Sequence, residues 1–168
     1  MPAKRSSDTI QPAERAGTGE ILDRIKWMFD KTLFHLMRVV LQEHTARWGA
    51  LMPDLTKPQY AVLEALATSP EGLDQATLGQ ASATTKATLA EMLGRMEARQ
   101  LIVRRTDATD SRRRLIRLTE QGRDILSIAR PVAEQVSNSI LQTLSTDERE
   151  ALVQTLAKMR HGIHAKDT

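Results

Sequence analysis

Apolar positions along this chain recur mostly at three- and four-residue spacing, and change to alternation over one short stretch near residue 110. The first period marks amphipathic helices and the second marks strands. Residues 1–19 are Pro, Ser, Thr, Gly and charge with almost nothing apolar, which predicts a disordered arm. From Glu20 to about Trp48 the residues Ile21, Leu22, Ile25, Met28, Phe29, Leu33, Leu36, Met37, Val39, Val40 and Leu41 cover more than one stripe. This predicts one long helix buried on two sides, as a helix between its own domain and a partner subunit would be. Gly49 to Asp54, with Pro53, reads as a linker.

Start signals then become frequent. Thr56 is placed to cap a helix with Pro58 in its first turn and Gln59 completing a capping box. Tyr60, Val62, Leu63 and Leu66 follow, and Ser69-Pro70-Glu71-Gly72 ends the helix. Asp74 predicts the start of a short helix running through Leu78 to Ala81. The polar run Ser82-Ala83-Thr84-Thr85-Lys86 opens another helix to about Arg99, with Leu89, Met92, Leu93 and Met96 as its buried face. Two helices of this size joined by a tight polar turn form a helix-turn-helix pattern.

The alternating stretch comes next. Leu101–Thr106 and Arg113–Leu118 read as two strands with a turn over Asp107–Ser111, a hairpin that forms a wing beside the helix pair. Thr119 caps a long helix to about Leu144, expected to bend at Pro131, whose ring nitrogen cannot donate a ladder bond. Ser145 and Glu148 make a capping box for the last helix, where Leu152, Leu156, Met159 and Ile163 form a seam that a partner helix can fill. The predicted fold is mainly α with a small β-hairpin: a winged helix-turn-helix domain over 55–118 and a helical dimerisation region over 20–54 and 119–164.

Composition narrows the class. With 168 residues and 3% aromatics the apolar content is mostly aliphatic, which favours helices over an all-β core. No run of eighteen apolar residues is present, and Lys4 and Arg5 have no apolar stretch behind them, so neither a membrane span nor a secretory signal is expected. The absence of cysteine removes disulfide and thiol chemistry and makes a cytosolic setting the simplest expectation. His35 and His44 lie too far apart on their helix to share a metal, and His161 and His164 sit at a fraying end, so no metal and no cofactor are expected. No Gly-rich phosphate loop follows a strand and no Ser/His/Asp spacing suggests a triad, which argues against an enzyme.

Charge points the other way, to nucleic acid. Residues 99–117 hold seven arginines against two acids, Asp107 and Asp110, a net +5 in a chain whose total is +3. Arginine's planar fork suits phosphate and guanine edges, and its weak hydration suits a narrow minor groove. A segment of this kind beside a helix pair suggests an arm built to touch phosphate, as double-stranded DNA would offer, against the plainer reading of a solvated charged hairpin.

The order of elements resembles the MarR (multiple antibiotic resistance regulator) family of transcription factors. Its wing motif D-x-R-x5-L-T-x-x-G is complete here as Asp110, Arg112, Leu118, Thr119 and Gly122. Leu55-Thr56-x-x-Gln59-Tyr60-x-Val62-Leu63 is similar to the opening of the family's second helix. Arg95-Met96-Glu97 running into Leu101-Ile102-Val103-x-Arg105 is similar to its recognition helix and first wing strand. The likeness spans about residues 20 to 164. One departure is Gln100, where the family usually carries a glycine that caps the helix in the left-handed conformation. Gln100 must adopt that conformation at a cost or end the helix otherwise.

On this reading the turn Ser82, Thr84, Thr85, Lys86 and Thr88 faces base edges in the major groove, with Ser82 or Thr84 equally suited to being the helix cap. Arg112 is the candidate minor-groove arginine, Asp110 holds the wing turn, and Arg113 and Arg114 are candidate phosphate contacts. Arg104, Arg105 and Arg117 fit solvated strand faces as well. The resemblance implies a homodimer that binds a small aromatic or pyridine carboxylate where the first helix meets the DNA-binding lobe, and then leaves DNA. Regulators of aromatic and pyridine-carboxylate breakdown, hydroxynicotinate-responsive ones among them, look similar in general outline. Trp27, His35, Arg38, Trp48 and Tyr60 are the candidate effector residues, since a cation beside aromatics suits a ring carboxylate. His35 also suits a buried histidine with its own partner, and Arg38 a surface pair with Asp30 or Glu43. The alternatives to a ligand-responsive repressor are a ligand-free architectural DNA-binding protein and a helical protein-interaction adaptor.

Overall fold

The computed structural model describes residues 18–29, 32–82, 85–106 and 113–164. Its contacts divide the chain into two units, Met1–Val40 and Leu41–Thr168. In the first unit α1 (Thr18–Phe29) is followed by the start of α2 (Leu33–Leu51), which continues into the second unit. The single helix expected from Glu20 to Trp48 is therefore two. The Thr32 amide bonds to the Phe29 carbonyl at 2.8 Å, closing α1, and the Thr32 carbonyl accepts from Leu36 at 3.0 Å, opening α2. The Thr32 hydroxyl donates back to the Met28 carbonyl of α1 at 3.5 Å, so it serves the end of α1 rather than capping α2. Thr18 and Gly19, expected in the arm, belong to α1, while the rest of that arm lies outside the described residues. Two-sided burial is not seen within the single chain: Ile21, Leu22, Ile25, Met28 and Phe29 are all exposed.

The second unit follows its local signals closely. α3 (Lys57–Ala67) has the full capping box: the Thr56 hydroxyl accepts from the Gln59 amide and the Gln59 side chain accepts from the Thr56 amide at 3.0 Å. Asp74 accepts from the Thr77 amide at 2.8 Å and starts α4 (Gln75–Ala81). α5 (Lys86–Ala98) is capped by Thr85. The wing is an antiparallel pair, β1 (Ile102–Thr106) and β2 (Arg114–Leu118), with Ile102 opposite Leu118 and Thr106 opposite Arg114. Thr119 caps α6 (Glu120–Leu141), which runs through Pro131, and Ser145 with Glu148 opens α7 (Thr146–His164). The first expected residue of each strand, Leu101 and Arg113, stands just outside its ladder. The wing turn 107–112 lies outside the described residues.

One core holds this unit together. Leu55, Val62, Leu63, Leu66, Leu78, Leu89, Leu93, Met96 and Leu101 are fully or almost fully enclosed, with Trp48 of α2, Ile116 of β2 and Leu126 of α6 closing the edges. Removing any one of these large side chains costs about 2–5 kcal/mol, because the lost transfer energy adds to a cavity term. Leu73 pairs with Ile116 through two backbone bonds of 3.0 and 2.9 Å, so the segment before α4 ties the wing to the helices. Gly72 makes that approach possible: its φ is +91, and a Cβ there would stand 2.7 Å from the Ile116 carbonyl oxygen. Arg47 of α2 donates to the carbonyl and hydroxyl of Ser139 in α6 at 3.1 and 2.9 Å. Gln100 resolves its alternative by adopting the left-handed conformation, with φ of 56. Among the described residues no helix is long and apolar enough to cross a membrane.

Candidate nucleic-acid interface

α5 presents one face to the core through Leu89, Met92, Leu93 and Met96, so its opposite face is outward. That face begins with Thr85, Lys86, Ala87 and Thr88, all exposed, and continues through Ala90, Glu91, Gly94 and Arg95. Small side chains at 87, 90 and 94 let the helix approach a base edge closely, and an alanine methyl suits a thymine methyl. The Thr85 hydroxyl accepts from the Thr88 amide and donates to the Thr88 hydroxyl at 2.9 Å. Thr85 is thus the cap of α5. Ser82, one of the two residues expected in that role, instead closes α4, its hydroxyl donating to the Leu78 carbonyl at 2.7 Å. Thr84 lies outside the described residues, as do Asp110 and Arg112. Lys86 stands at the first turn of α5, where the amide groups have no partner within the helix and attract anions. Arg95, which the sequence reading used only as a motif residue, stands exposed two turns further along and pairs with Glu91 at 3.1 Å.

The wing arginines sort by partner. Arg104 bonds Glu97 at 2.7 Å, and Arg117 bonds the carbonyl and carboxylate of Glu71 at 2.7 and 3.0 Å. Arg99 donates to the Asp54 carbonyl. These three fasten the hairpin and the end of α5 to the helical lobe. Arg113, expected to meet phosphate, reaches Asp74 at 3.2 Å. The Asp74 carboxyl is held below its ordinary range by the Thr77 amide and hydroxyl, with a smaller contribution from Arg113. Arg105 and Arg114 are exposed, and no described residue pairs with either. On the described strands they are the cations left to meet an external anion.

The candidate effector residues fall into two groups. In the first unit Arg38 lies 3.1 Å from the His35 ring nitrogen, and the His35 ring packs on Phe29 with centroids 5.1 Å apart. Of the two acids weighed as partners for Arg38, Asp30 lies outside the described residues and Glu43 pairs with Arg47 at 2.7 Å. Trp27 is exposed on α1. In the second unit Trp48 is buried at 2% exposure, its ring nitrogen donating to the Leu55 carbonyl and its ring packed at a tilt on Tyr60 with centroids 5.0 Å apart. Trp48 is thus a core residue, as a large aromatic with a satisfied N–H ordinarily is. Tyr60 donates to Glu64 at 2.7 Å, and Glu64 accepts two bonds of 3.0 Å from Arg130 on α6. Arg130 holds the Glu64 carboxyl below its usual range. Lys57 bonds the His44 ring and lies over Trp48, and burial pulls its amine down. The Glu64–Arg130 pair escaped sequence reasoning because 66 residues separate its members and no local pattern joins them.

Among the described residues no cluster of His, Cys, Asp and Glu could hold a metal ion. The geometry is that of a winged helix-turn-helix with a cationic hairpin, and known proteins agree. The profile described as MarR family matches residues 54–113. The transcriptional regulator HosA of Escherichia coli O157:H7 is 51% identical over 126 residues, covering 75% of this chain and 93% of HosA. The chain belongs to the MarR family. It is a DNA-binding transcription regulator and not an enzyme. A second similar protein is the HTH-type transcriptional repressor NicR of Pseudomonas putida, 34% identical over 140 residues, 82% of this chain and 88% of NicR. Among solved structures, BpsR of Bordetella bronchiseptica, whose DNA binding is regulated by 6-hydroxynicotinic acid, is 33% identical. The two share a TM-score of 0.73 over 79% of this chain and 95% of BpsR.

Proposed function

We propose that this MarR-family regulator acts as a homodimeric repressor of a pseudo-palindromic operator, released by a small aromatic or pyridine carboxylate. The observation that carries the DNA half is the outward face of α5, from Thr85 and Lys86 to Arg95, in the same unit as a hairpin whose Arg105 and Arg114 stand exposed. In this reading Ser82, Thr84, Thr85, Lys86 and Thr88 meet the major groove, Arg112 enters the minor groove with Asp110 holding its turn, and Arg113 and Arg114 bind phosphate. Arg113 exchanges its bond to Asp74 for one to DNA.

The effector half is supported by the likeness to BpsR and by Arg38 and His35 lying together beside Phe29. A guanidinium and an imidazole 3.1 Å apart next to a ring suit a ring-bearing carboxylate. The exposed apolar residues of α1 and of α7, Leu152, Leu156 and Ile163, supply the dimer surface. Residues 20–54 and 119–164 then form the dimerisation region and 55–118 the DNA-binding domain.

Gel shifts on the chain's own upstream DNA, with a panel of aromatic and pyridine carboxylates, test the reading. At least one acid is expected to release operator DNA, and Arg38→Ala to abolish that response while leaving unliganded DNA binding intact. A ligand preferring the non-binding state a hundredfold supplies about 2.7 kcal/mol per site, enough to clear an operator from a dimer. DNA binding that no acid in the panel alters would favour the ligand-free architectural alternative.

A further inference from the structure

A groove of 370 Å³ opens on the DNA-binding lobe between the end of α3 and the first half of α6, and no residue of α1 or α2 is among its lining. Its apolar lining comes from Leu66, Ala67, Pro70, Leu118 and Leu126, and its two cations are Arg123 and Arg130. The volume lies in the range of small-molecule sites, about 300–1,000 Å³. We infer that this groove is a second binding site, for a small monocarboxylate with an apolar body, anchored by Arg123.

The two arginines are seven residues apart on α6, hence on one face, with Leu126 between them on the same face. Their states differ. Arg130 gives both of its described bonds to the Glu64 carboxylate at 3.0 Å, so its charge is already answered. Arg123 is exposed, and its one hydrogen bond to a described residue is to the Leu118 carbonyl at 3.3 Å. That long bond to a neutral acceptor leaves the guanidinium fork able to take a carboxylate in two places, a stronger and more directional interaction. Ser69 and Ser127 also line the groove, but their hydroxyls donate to the Gly72 and Asp124 carbonyls at 3.2 and 2.7 Å, so the bond to a carboxylate falls to Arg123.

A carboxylate on Arg123 competes with the Leu118 carbonyl for the same guanidinium. Leu118 is the last residue of β2, and its side chain also lines the groove. Occupancy therefore acts on the base of the wing directly, without passing through α2. This inference does not depend on the effector reading above, since it uses neither Arg38 nor His35.

The test is a titration of the isotopically labelled full chain with benzoate, followed by backbone amide NMR, with benzamide as the uncharged control. Saturable benzoate shifts are expected at residues 66–70 and 118–127, with none from benzamide. Arg123→Gln is expected to weaken those shifts about fivefold or more in affinity, as loss of a charge-assisted pair does. Arg123 is exposed, so the substitution leaves the core intact. Arg38→Ala is expected to leave the groove titration unchanged, which separates this site from the proposed effector site. Absence of saturable shifts at these residues, equal shifts from benzamide, or unchanged affinity in Arg123→Gln would each overturn the inference.

Discussion

Gly122, in the first turn of α6, lies directly against the carbonyl of Leu101, the residue that leads into the wing. A Cβ at 122 would overlap the Leu101 carbonyl oxygen and stand 3.0 Å from its carbon. The Thr119 amide also donates to that carbonyl at 3.2 Å, and the Thr119 hydroxyl accepts from the Gly122 amide at 3.0 Å. The Leu-Thr-x-x-Gly end of the wing motif is thus one joint: threonine caps the helix, and glycine lets the helix sit on the strand leader.

Gly122→Ala is expected to destabilise the fold by about 3 kcal/mol, the upper part of the usual overpacking range, because backbone rather than a flexible side chain must move. Urea unfolding measures it. A loss below about 0.5 kcal/mol, ordinary for a surface change, would show that the joint is not tight.

Gln100 departs from the family's glycine and carries a φ of 56. A left-handed conformation costs a non-glycine residue about 1–2 kcal/mol, partly offset in the variant by glycine's greater chain entropy when unfolded. Gln100→Gly is expected to stabilise the protein by about 1 kcal/mol without changing operator affinity. The same unfolding experiment reads the first effect and a gel shift the second.

Tyr60 is the one tyrosine in the chain, so tyrosinate absorbance reports on it alone. Its phenol is pushed up to about 12, by burial first and then by the hydrogen bond to Glu64 and that group's charge. The folded value lies above the ordinary 10.0, so this stabilisation is complete below that pH and is lost as pH rises through about 12. An absorbance titration of the folded protein is expected to show its midpoint near 12, moved down by Glu64→Gln. A folded-state midpoint at the ordinary value would contradict the Tyr60–Glu64–Arg130 arrangement.

The wing arginines should separate by their partners. Arg114→Ala is expected to weaken operator binding and reduce the salt-dependence slope by about 1, the signature of one lost phosphate contact. Arg104→Ala, whose guanidinium is committed to Glu97, should leave the slope unchanged. Arg112→Ala is expected to cost about 1–3 kcal/mol of operator affinity. Equal slopes for the Arg114 variant and the parent would remove Arg114 from the phosphate contacts.

Leu156→Glu places a charge in the exposed seam of α7 and is expected to shift a dimer to monomer in sedimentation, with loss of tight operator binding. Intact, two recognition helices in such a dimer should read half-sites about 34–36 Å apart. A parent protein that sediments as a monomer at micromolar concentration would contradict the dimer reading.

Helix starts at Thr56, Asp74, Thr119 and Ser145 were readable from the chain alone, because a cap needs only a side chain and an amide three residues on. The buried faces of α3 and α5 and the alternating wing were readable for the same reason: periodicity is local. Two starts misled. Thr32 gives no clear signal because the polar stretch Asp30-Lys31-Thr32 is only three residues long and apolar residues continue on both sides, so it reads as the polar side of one turn in a longer helix. Thr85 was one of several polar residues in a run, and only the backbone distinguishes the cap from its neighbours. What tertiary structure alone decided is which charges are occupied. Arg130 meets Glu64 across 66 positions and Arg47 meets Ser139 across 92, and Arg117 and Arg104 spend their charge inside the lobe. A count of arginines fixes the sign of the wing, but which of them can reach DNA depends on acids that only the folded chain brings within reach.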